Sequence, residues 1–110
     1  VWRVPLPPDR GSTYKVGTFY HLSGGHGGPD GMALDEEGNV YVCHAGLGSI
    51  WIFSPLGEPL YRIRSCNGLA TTNLAFGGPD NKSLFITESS TGTILRAEIP
   101  YRGRVMYSHM

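Results

Sequence analysis

The sequence predicts an all-β protein made of four-stranded antiparallel blades, which together form part of a β-propeller. Three observations support the β-blade prediction. The chain has 16 glycines and 8 prolines, which separate short runs of β-branched and aromatic residues. No window of roughly 11 residues or more shows the apolar stripe of an amphipathic helix. The two halves of the chain align with an offset of roughly 40–45 positions, the repeat length of a four-stranded propeller blade.

The first 23 residues are predicted to form the outer half of a blade. Residues 1–6 indicate one strand, a proline-rich break follows, and a second strand is expected within residues 14–20. A half blade exposes strand edges and an apolar face. We therefore expect either a longer propeller, of which this is the C-terminal part, or copies of the chain that associate as a homo-oligomer and cover the open blade edges.

Residues 27–65 and 70–108 are predicted to form two complete blades. In the first blade, a Pro29-Asp30-Gly31 turn leads into a short inner strand at residues 32–34. A polar reversal ending in Gly38-Asn39 connects this strand to the next. The remaining predicted strands cover residues 40–43, 49–53 and 59–64 in the first blade and residues 73–76, 83–87, 93–99 and 104–107 in the second.

The repeat also predicts where side chains lie. It aligns Asp30 with Thr72, and His44 with Glu88, and we interpret His44 and Glu88 as residues of the blade rim. Large aromatic side chains on the strands are expected in the core between blades: Tyr41, Trp51, Phe53 and Phe85. Arginines on the outer strands are expected to be solvated, with their stems on apolar surface: Arg62, Arg64 and Arg96.

Composition limits the partners of the chain. The formal net charge is +0, so no basic surface argues for nucleic acid or for an anionic membrane. No apolar run approaches the roughly 20 residues that a membrane-spanning helix needs. Neither of the two cysteines belongs to a CxxC pair, which argues against a zinc site and favours a cytoplasmic location.

Asp30 is the first candidate site residue, because it is a carboxylate just before an inner strand. It is either a turn residue bonded to its own backbone or a ligand at the centre of the ring. Thr72 and Asn73 occupy the matching entry of the next blade, where they are candidates for substrate binding or local caps of the strand. His26 lies in the glycine-rich loop, residues 23–28. It is a candidate substrate contact or an exposed histidine without a role.

Four stretches of the sequence resemble the C-terminal blades of the senescence marker protein and gluconolactonase-like family. They are GGPDGMALDEEGNVYVCHAG, SIWIFSPLGEPLYRI, TTNLAFGGPDNKSLFITES and GTILRAEIP. The resemblance implies a six-bladed propeller that hydrolyses sugar lactones or related esters with a central divalent metal, most often Ca²⁺. Asp30 matches the aspartate of the PDGM motif. The resemblance therefore implies that it ligates the metal and that it orients or deprotonates the attacking water.

The other ligands that the family uses are a glutamate near the N-terminus and asparagines of intermediate blades, none of which lies in these 110 residues. Related phosphotriesterase-type propellers carry a histidine where this sequence has Ala75, which favours the lactonase type. The alternative function is a non-catalytic propeller fragment that acts as a binding or assembly module. A module that binds sugar or peptide without chemistry is a third interpretation.

Overall fold

The structure is a computed structural model that describes residues 1–109. Its strands form three antiparallel sheets in chain order, with two, four and three strands. Apart from one 3-10 turn at Tyr107–His109, the regular elements of the described residues are all strands. The all-β prediction is confirmed. The described residues contain no helix that is long and apolar enough to cross a membrane.

The first sheet is a short ribbon that lies on one face of the second. Strand β1 (Trp2–Arg3) pairs with β2 (Gly17–Thr18). The chain then brings Phe19 and Tyr20 against Phe53 of the second sheet, with ring centroids 5.9 Å and 4.4 Å away. These aromatic contacts fix the ribbon to the sheet.

The second sheet is a complete four-stranded blade. Its strands are β3 (Pro29–Leu34), β4 (Val40–His44), β5 (Ser49–Phe53) and β6 (Pro59–Arg64), hydrogen-bonded in that order. The Pro29-Asp30-Gly31 segment, which the sequence assigned to a turn, belongs to β3. Proline is tolerated as the first residue of a strand, and the glycine lies in a bulge, so neither residue ends the strand.

The third sheet contains β7 (Thr71–Gly77), β8 (Ser83–Glu88) and β9 (Thr93–Glu98). The predicted fourth strand at residues 104–107 does not form. Gly103 instead forms an isolated antiparallel β-bridge with Asp35, and the Arg104 N–H donates to the Leu34 carbonyl over 3.0 Å. Asn81 also binds Gly103 through two hydrogen bonds of 2.8 Å each. The C-terminal segment therefore ties the two blades together and leaves the outer edge of β9 unpaired among the described residues.

The main core lies between the second and third sheets. Its buried side chains are Tyr41, Cys43, Ile50, Ile52, Leu74, Leu84 and Ile86. As predicted, Tyr41 and Phe53 are buried, and Trp51 is half-buried. Phe85 differs, because its side chain is 37% exposed. It lies on the outer face of the third sheet, where no other described element covers it.

Candidate functional site

Both inner strands carry a bulge at the same position. In the first blade, Pro29 pairs with His44 and Met32 with Val42, so Asp30 and Gly31 together oppose one residue of β4. A bulge redirects the side chains of its strand and is common next to functional sites. The bulge of the first blade therefore directs the Asp30 carboxylate away from the regular ladder.

The second blade repeats this irregularity. Thr71 pairs with Glu88 and Asn73 with Thr87, and the register shifts between the two pairs. Thr72 occupies the bulge position that Asp30 occupies in the first blade. The alignment of Asp30 with Thr72, made from the sequence, is confirmed by the strand registers.

The Asp30 carboxylate is exposed. Among residues 1–109 it forms no ion pair and accepts no hydrogen bond, so it is not a turn aspartate bonded to its own backbone. Its negative charge acts on the neighbouring strand. Burial, followed by the charge of Asp30, raises the pKa of the Cys43 thiol to about 12. Asp30 is therefore a charged group with free acceptor capacity at the inner edge of the blade.

The polar side chains of the second bulge bind one another. The hydroxyls of Thr72 and Thr87 lie 2.9 Å apart, and the Asn73 N–H donates to the Thr87 hydroxyl over 3.0 Å. The side-chain oxygen of Asn73 accepts from the Leu74 N–H over 2.9 Å. These contacts are those of local caps, one of the two alternatives that the sequence left open for Thr72 and Asn73. They leave part of the acceptor capacity of the Asn73 oxygen free.

The two bulges lie against each other. A Cβ atom at Gly31 would lie 2.2 Å from the Asn73 side-chain oxygen and 2.7 Å from the Asn73 Cα. Only glycine allows such a close approach of backbone. The structure thus brings the residue after Asp30 into direct contact with Asn73 of the next inner strand.

His26 lies on the glycine-rich loop, and its side chain is exposed. Within residues 1–109 its ring makes no hydrogen bond. The loop itself is packed closely, because a Cβ at Gly27 would lie 2.2 Å from the carbonyl oxygen of Ala45. The structure therefore places His26 on a fixed loop beside the end of β4, without joining it to Asp30.

His44 is buried, so its assignment to the blade rim is wrong. Its Nδ1 lies 3.2 Å from the Trp51 Nε1, and its Nε2 lies 3.0 Å from the Gly24 carbonyl oxygen. An indole N–H can only donate, so Nδ1 is the acceptor. The proton is then on Nε2, from which it is donated to Gly24. Trp51 on the adjacent strand and Gly24 on the glycine-rich loop thus satisfy both nitrogens and permit the burial.

Glu88 is also buried, and its assignment to the rim is wrong for the same reason. The carboxylate accepts hydrogen bonds from the hydroxyls of Ser90 and Thr91, from their two N–H groups, and from the Ala70 N–H at 2.9 Å. The two hydroxyls, supported by backbone donors, lower the pKa of Glu88 to about 2. Glu88 is thus a structural carboxylate with saturated acceptors.

Asp35 is a buried carboxylate that the sequence interpretation did not single out. It accepts from the Asn39 N–H and side-chain amide and from the Tyr41 hydroxyl, each over 2.9 Å. Burial, together with this hydrogen bond, raises the pKa of Tyr41. The Asp-x-x-Gly-Asn pattern of the turn was the available signal. Asp35 holds the turn between β3 and β4 and has no free acceptor for a ligand.

The described residues supply only part of a calcium site. They contain no group of three or more His, Cys, Asp or Glu side chains arranged to hold a metal. Ca²⁺ takes roughly six to eight oxygen ligands. The Asp30 carboxylate and the Asn73 side-chain oxygen are suitable donors but too few. The chemistry of this donor set therefore fits a contribution to a calcium site, not a complete one.

Comparison with known proteins identifies relatives of these blades. Residues 1–90 match the SMP-30/gluconolactonase/LRE-like region. The chain is 37% identical over 89 residues to diisopropyl-fluorophosphatase of Loligo vulgaris, covering 79% of this chain and 28% of that protein. It is 36% identical over 84 residues to gluconolactonase of Zymomonas mobilis, covering 76% of this chain and 23% of that protein. The chain thus spans about a quarter of the length of these curated relatives.

Solved structures share the fold. The calcium-binding protein regucalcin of Agrobacterium tumefaciens superposes with a TM-score of 0.76 at 28% identity, covering 94% of this chain and 39% of that one. A putative gluconolactonase gives a TM-score of 0.74 at 27% identity, covering 96% and 33%. The fold is therefore a partial β-propeller. The chain belongs to the SMP-30/gluconolactonase/LRE-like family.

Proposed function

We propose that this chain supplies Asp30 to a metal-dependent site that hydrolyses a sugar lactone or a related ester. One observation carries the proposal. Asp30 and Thr72 occupy the same bulge position, yet the Thr72 hydroxyl is bound within its own blade while the Asp30 carboxylate has no partner among the described residues. A carboxylate without a partner at the inner edge of a blade is suited to binding a cation.

The roles of the chain's own residues follow from their chemistry. Asp30 holds the cation and orients or deprotonates the attacking water. The Asn73 oxygen, beside Gly31, is the second donor of this part of the site. A bound cation would polarise the ester carbonyl. We assign the cation as Ca²⁺, which suits oxygen donors and is named for the regucalcin that shares this fold. The remaining oxygen ligands come from outside these two blades.

We base the proposed substrate class on the gluconolactonase relative. The diisopropyl-fluorophosphatase relative has a similar sequence identity to this chain. Overall identity therefore does not separate lactonases from phosphotriesterases, and the argument from Ala75 stays a prediction. We assign Thr72, Asn73 and His26 to substrate contact around Asp30. The proposal does not include nucleic acid or a membrane, and the cytoplasmic location also stays a prediction.

Hydrolysis assays on the full chain that carries these residues test the proposal. We expect turnover of gluconolactone in Ca²⁺ and its loss after chelation. Asp30→Asn should lower kcat/KM by more than the roughly 10–100-fold that the loss of an outer-shell partner costs. Asp80→Asn is the matched control. Asp80 belongs to a second Gly-Pro-Asp triplet, but its carboxylate accepts from the Lys82 N–H in the β7–β8 turn.

Three results would contradict this assignment. Turnover that survives chelation would show that hydrolysis does not need the metal. Equal losses of kcat/KM in the Asp30 and Asp80 variants would show that Asp30 has no specific role. Turnover of diisopropyl fluorophosphate without turnover of gluconolactone would replace the substrate class.

A second candidate function, assembly without catalysis, is favoured by the outer face of the third sheet. Within residues 1–109 the outer edge of β9 is unpaired, and Ile94 on this strand is 71% exposed. Its equivalent in the first blade, Ile50, is fully buried between the sheets. An uncovered face of this kind binds another chain or a further blade. Sedimentation of the chain tests association between copies, and a monomer at all concentrations would contradict it.

A further inference from the structure

The buried His44 connects two parts of the first blade that are far apart in sequence. Its Nε2 donates to the Gly24 carbonyl at 3.0 Å, within the glycine-rich loop. Its Nδ1 accepts from Trp51 at 3.2 Å. Arg62 packs over the ring of this indole, with the guanidinium carbon 4.9 Å from the ring centroid. These contacts fix both the orientation and the tautomer of the His44 ring, so that its Nε2–H donates to one carbonyl of the loop.

The glycine-rich loop is built to accept this contact. Gly24 and Gly25 have φ angles of 100° and 68°, which favour glycine. A Cβ at Gly25 would lie 2.8 Å from the carbonyl oxygen of Gly46. The Ala45 N–H also donates to the Gly28 carbonyl over 3.0 Å. The loop thus lies directly on the residues that follow His44, and it ends where β3 begins, next to Asp30.

The second blade anchors its corresponding loop with the opposite hydrogen-bond polarity. Glu88, the equivalent of His44, accepts from the Ala70 N–H just before β7. The neighbouring Leu69 carbonyl in turn accepts from the N–H groups of Gly46 and Gly48, each over 2.9 Å. In both blades, the last residue of the second strand therefore holds the loop that enters the inner strand.

We propose that His44 is a positioning residue, which fixes the glycine-rich loop so that His26 contacts substrate bound at Asp30. This inference rests on the proposed function. The polyol face of a sugar lactone offers hydroxyl groups to the exposed His26 ring. His44 itself is buried and acts only through the Gly24 carbonyl. Glu88 has the same role for the loop before β7.

Amide hydrogen exchange tests the anchoring separately from any activity. The Ala45 amide reports on the glycine-rich loop, whereas the Gly48 amide reports on the loop before β7. His44→Phe should speed exchange at Ala45 by roughly three- to tenfold, the effect of one lost hydrogen bond, and leave Gly48 unchanged. Glu88→Leu, which removes the acceptor of the Ala70 N–H, should do the reverse. Joint acceleration at both amides, or no change at Ala45, would overturn the proposal.

The tautomer of the unmodified protein gives a second test, which does not depend on a variant that folds. The ¹⁵N shifts of the His44 ring should report a proton on Nε2 and none on Nδ1. A proton on Nδ1 would contradict the donation to Gly24.

His44→Gln keeps a side-chain N–H donor and should retain much of the protection at Ala45.

Steady-state kinetics then test the consequence for substrate. His44→Phe and His26→Ala should each raise KM for gluconolactone with a smaller change in kcat, and the double variant should be no worse than either. Additive losses would overturn the link between the two residues. If no lactone is hydrolysed but the exchange pattern holds, the proposed function fails while the anchoring stands.

Discussion

The two blades share one backbone irregularity and use it differently. In the first blade the bulge presents Asp30, which no described group neutralises or binds. In the second blade the same bulge presents Thr72 and Asn73, which hydrogen-bond to Thr87 on the neighbouring strand. Both blades therefore share the same backbone bulge. Whether a bulge can bind a ligand depends on whether its side chains already form hydrogen bonds within their own blade.

The comparison extends to the residues that support each bulge. His44 and Glu88 end the second strands of their blades, and both are buried. One donates to a loop carbonyl and the other accepts from a loop N–H. Equivalent positions can thus keep the same role while their charge and hydrogen-bond polarity change.

The turn that follows each inner strand should give the largest difference between the blades. The first blade closes this turn on the buried Asp35, whereas Asp80 in the second is exposed. Asp35→Ala leaves Asn39 and the Tyr41 hydroxyl without their acceptor, so we expect a loss of about 3 kcal/mol in the free energy of unfolding. Asp80→Ala should change it by less than about 0.5 kcal/mol. Urea unfolding measures both, and equal losses would remove the distinction.

A smaller effect is expected where the bulges touch. Gly31→Ala would place a methyl group 2.7 Å from the Asn73 Cα, which must move. We expect a loss of about 2 kcal/mol, in the range for overpacking. Gly17→Ala is the control, because no atom of the described residues outside its immediate neighbours lies within 4 Å of the added carbon. If the two variants are equally stable in urea, the inner strands are not in close contact.

The smallest effect concerns the pH dependence of stability, which we expect Glu88 to influence in the second blade. The pKa of Glu88 falls from 4.5 to about 2 on folding, so its contribution to stability is fully present above pH 4.5. That contribution disappears as the pH falls towards 2. Glu88→Gln should therefore flatten the dependence of the urea midpoint on pH between about 5 and 2. Parallel pH curves for the wild type and the variant would show that the carboxylate is not stabilised by folding.

The strand pattern and the repeat were predictable because they depend on local alternation and turn residues. The sequence thus placed Val40 to Cys43 on a strand and aligned Asp30 with Thr72, as the registers confirm. The resemblance also identified the family. Asp30 was predictable as a candidate because a carboxylate before an inner strand is visible in the sequence alone.

Contacts between distant segments were not predictable. His44 and Glu88 are polar residues at strand ends, which normally face water. Their burial depends in part on the Gly24 carbonyl and the Ala70 N–H, which lie 20 and 18 residues away in the chain. The prediction of a fourth strand at residues 104–107 was wrong because the chain joins the other blade at this point: Gly103 pairs with Asp35, and the Arg104 N–H donates to Leu34 of β3. Alternation in the sequence does not reveal which edge a segment will join.

The central claim is that Asp30, unlike its equivalent Thr72, is free to bind a cation. A Ca²⁺ titration followed by amide NMR shifts tests this claim most directly, in the wild type and in the Asp30→Asn and Asp80→Asn variants. We predict weak binding, since the donor set is incomplete, with shifts centred on Asp30, Gly31 and Asn73. These shifts should vanish in Asp30→Asn and persist in Asp80→Asn. Shifts that persist unchanged in Asp30→Asn would contradict the account.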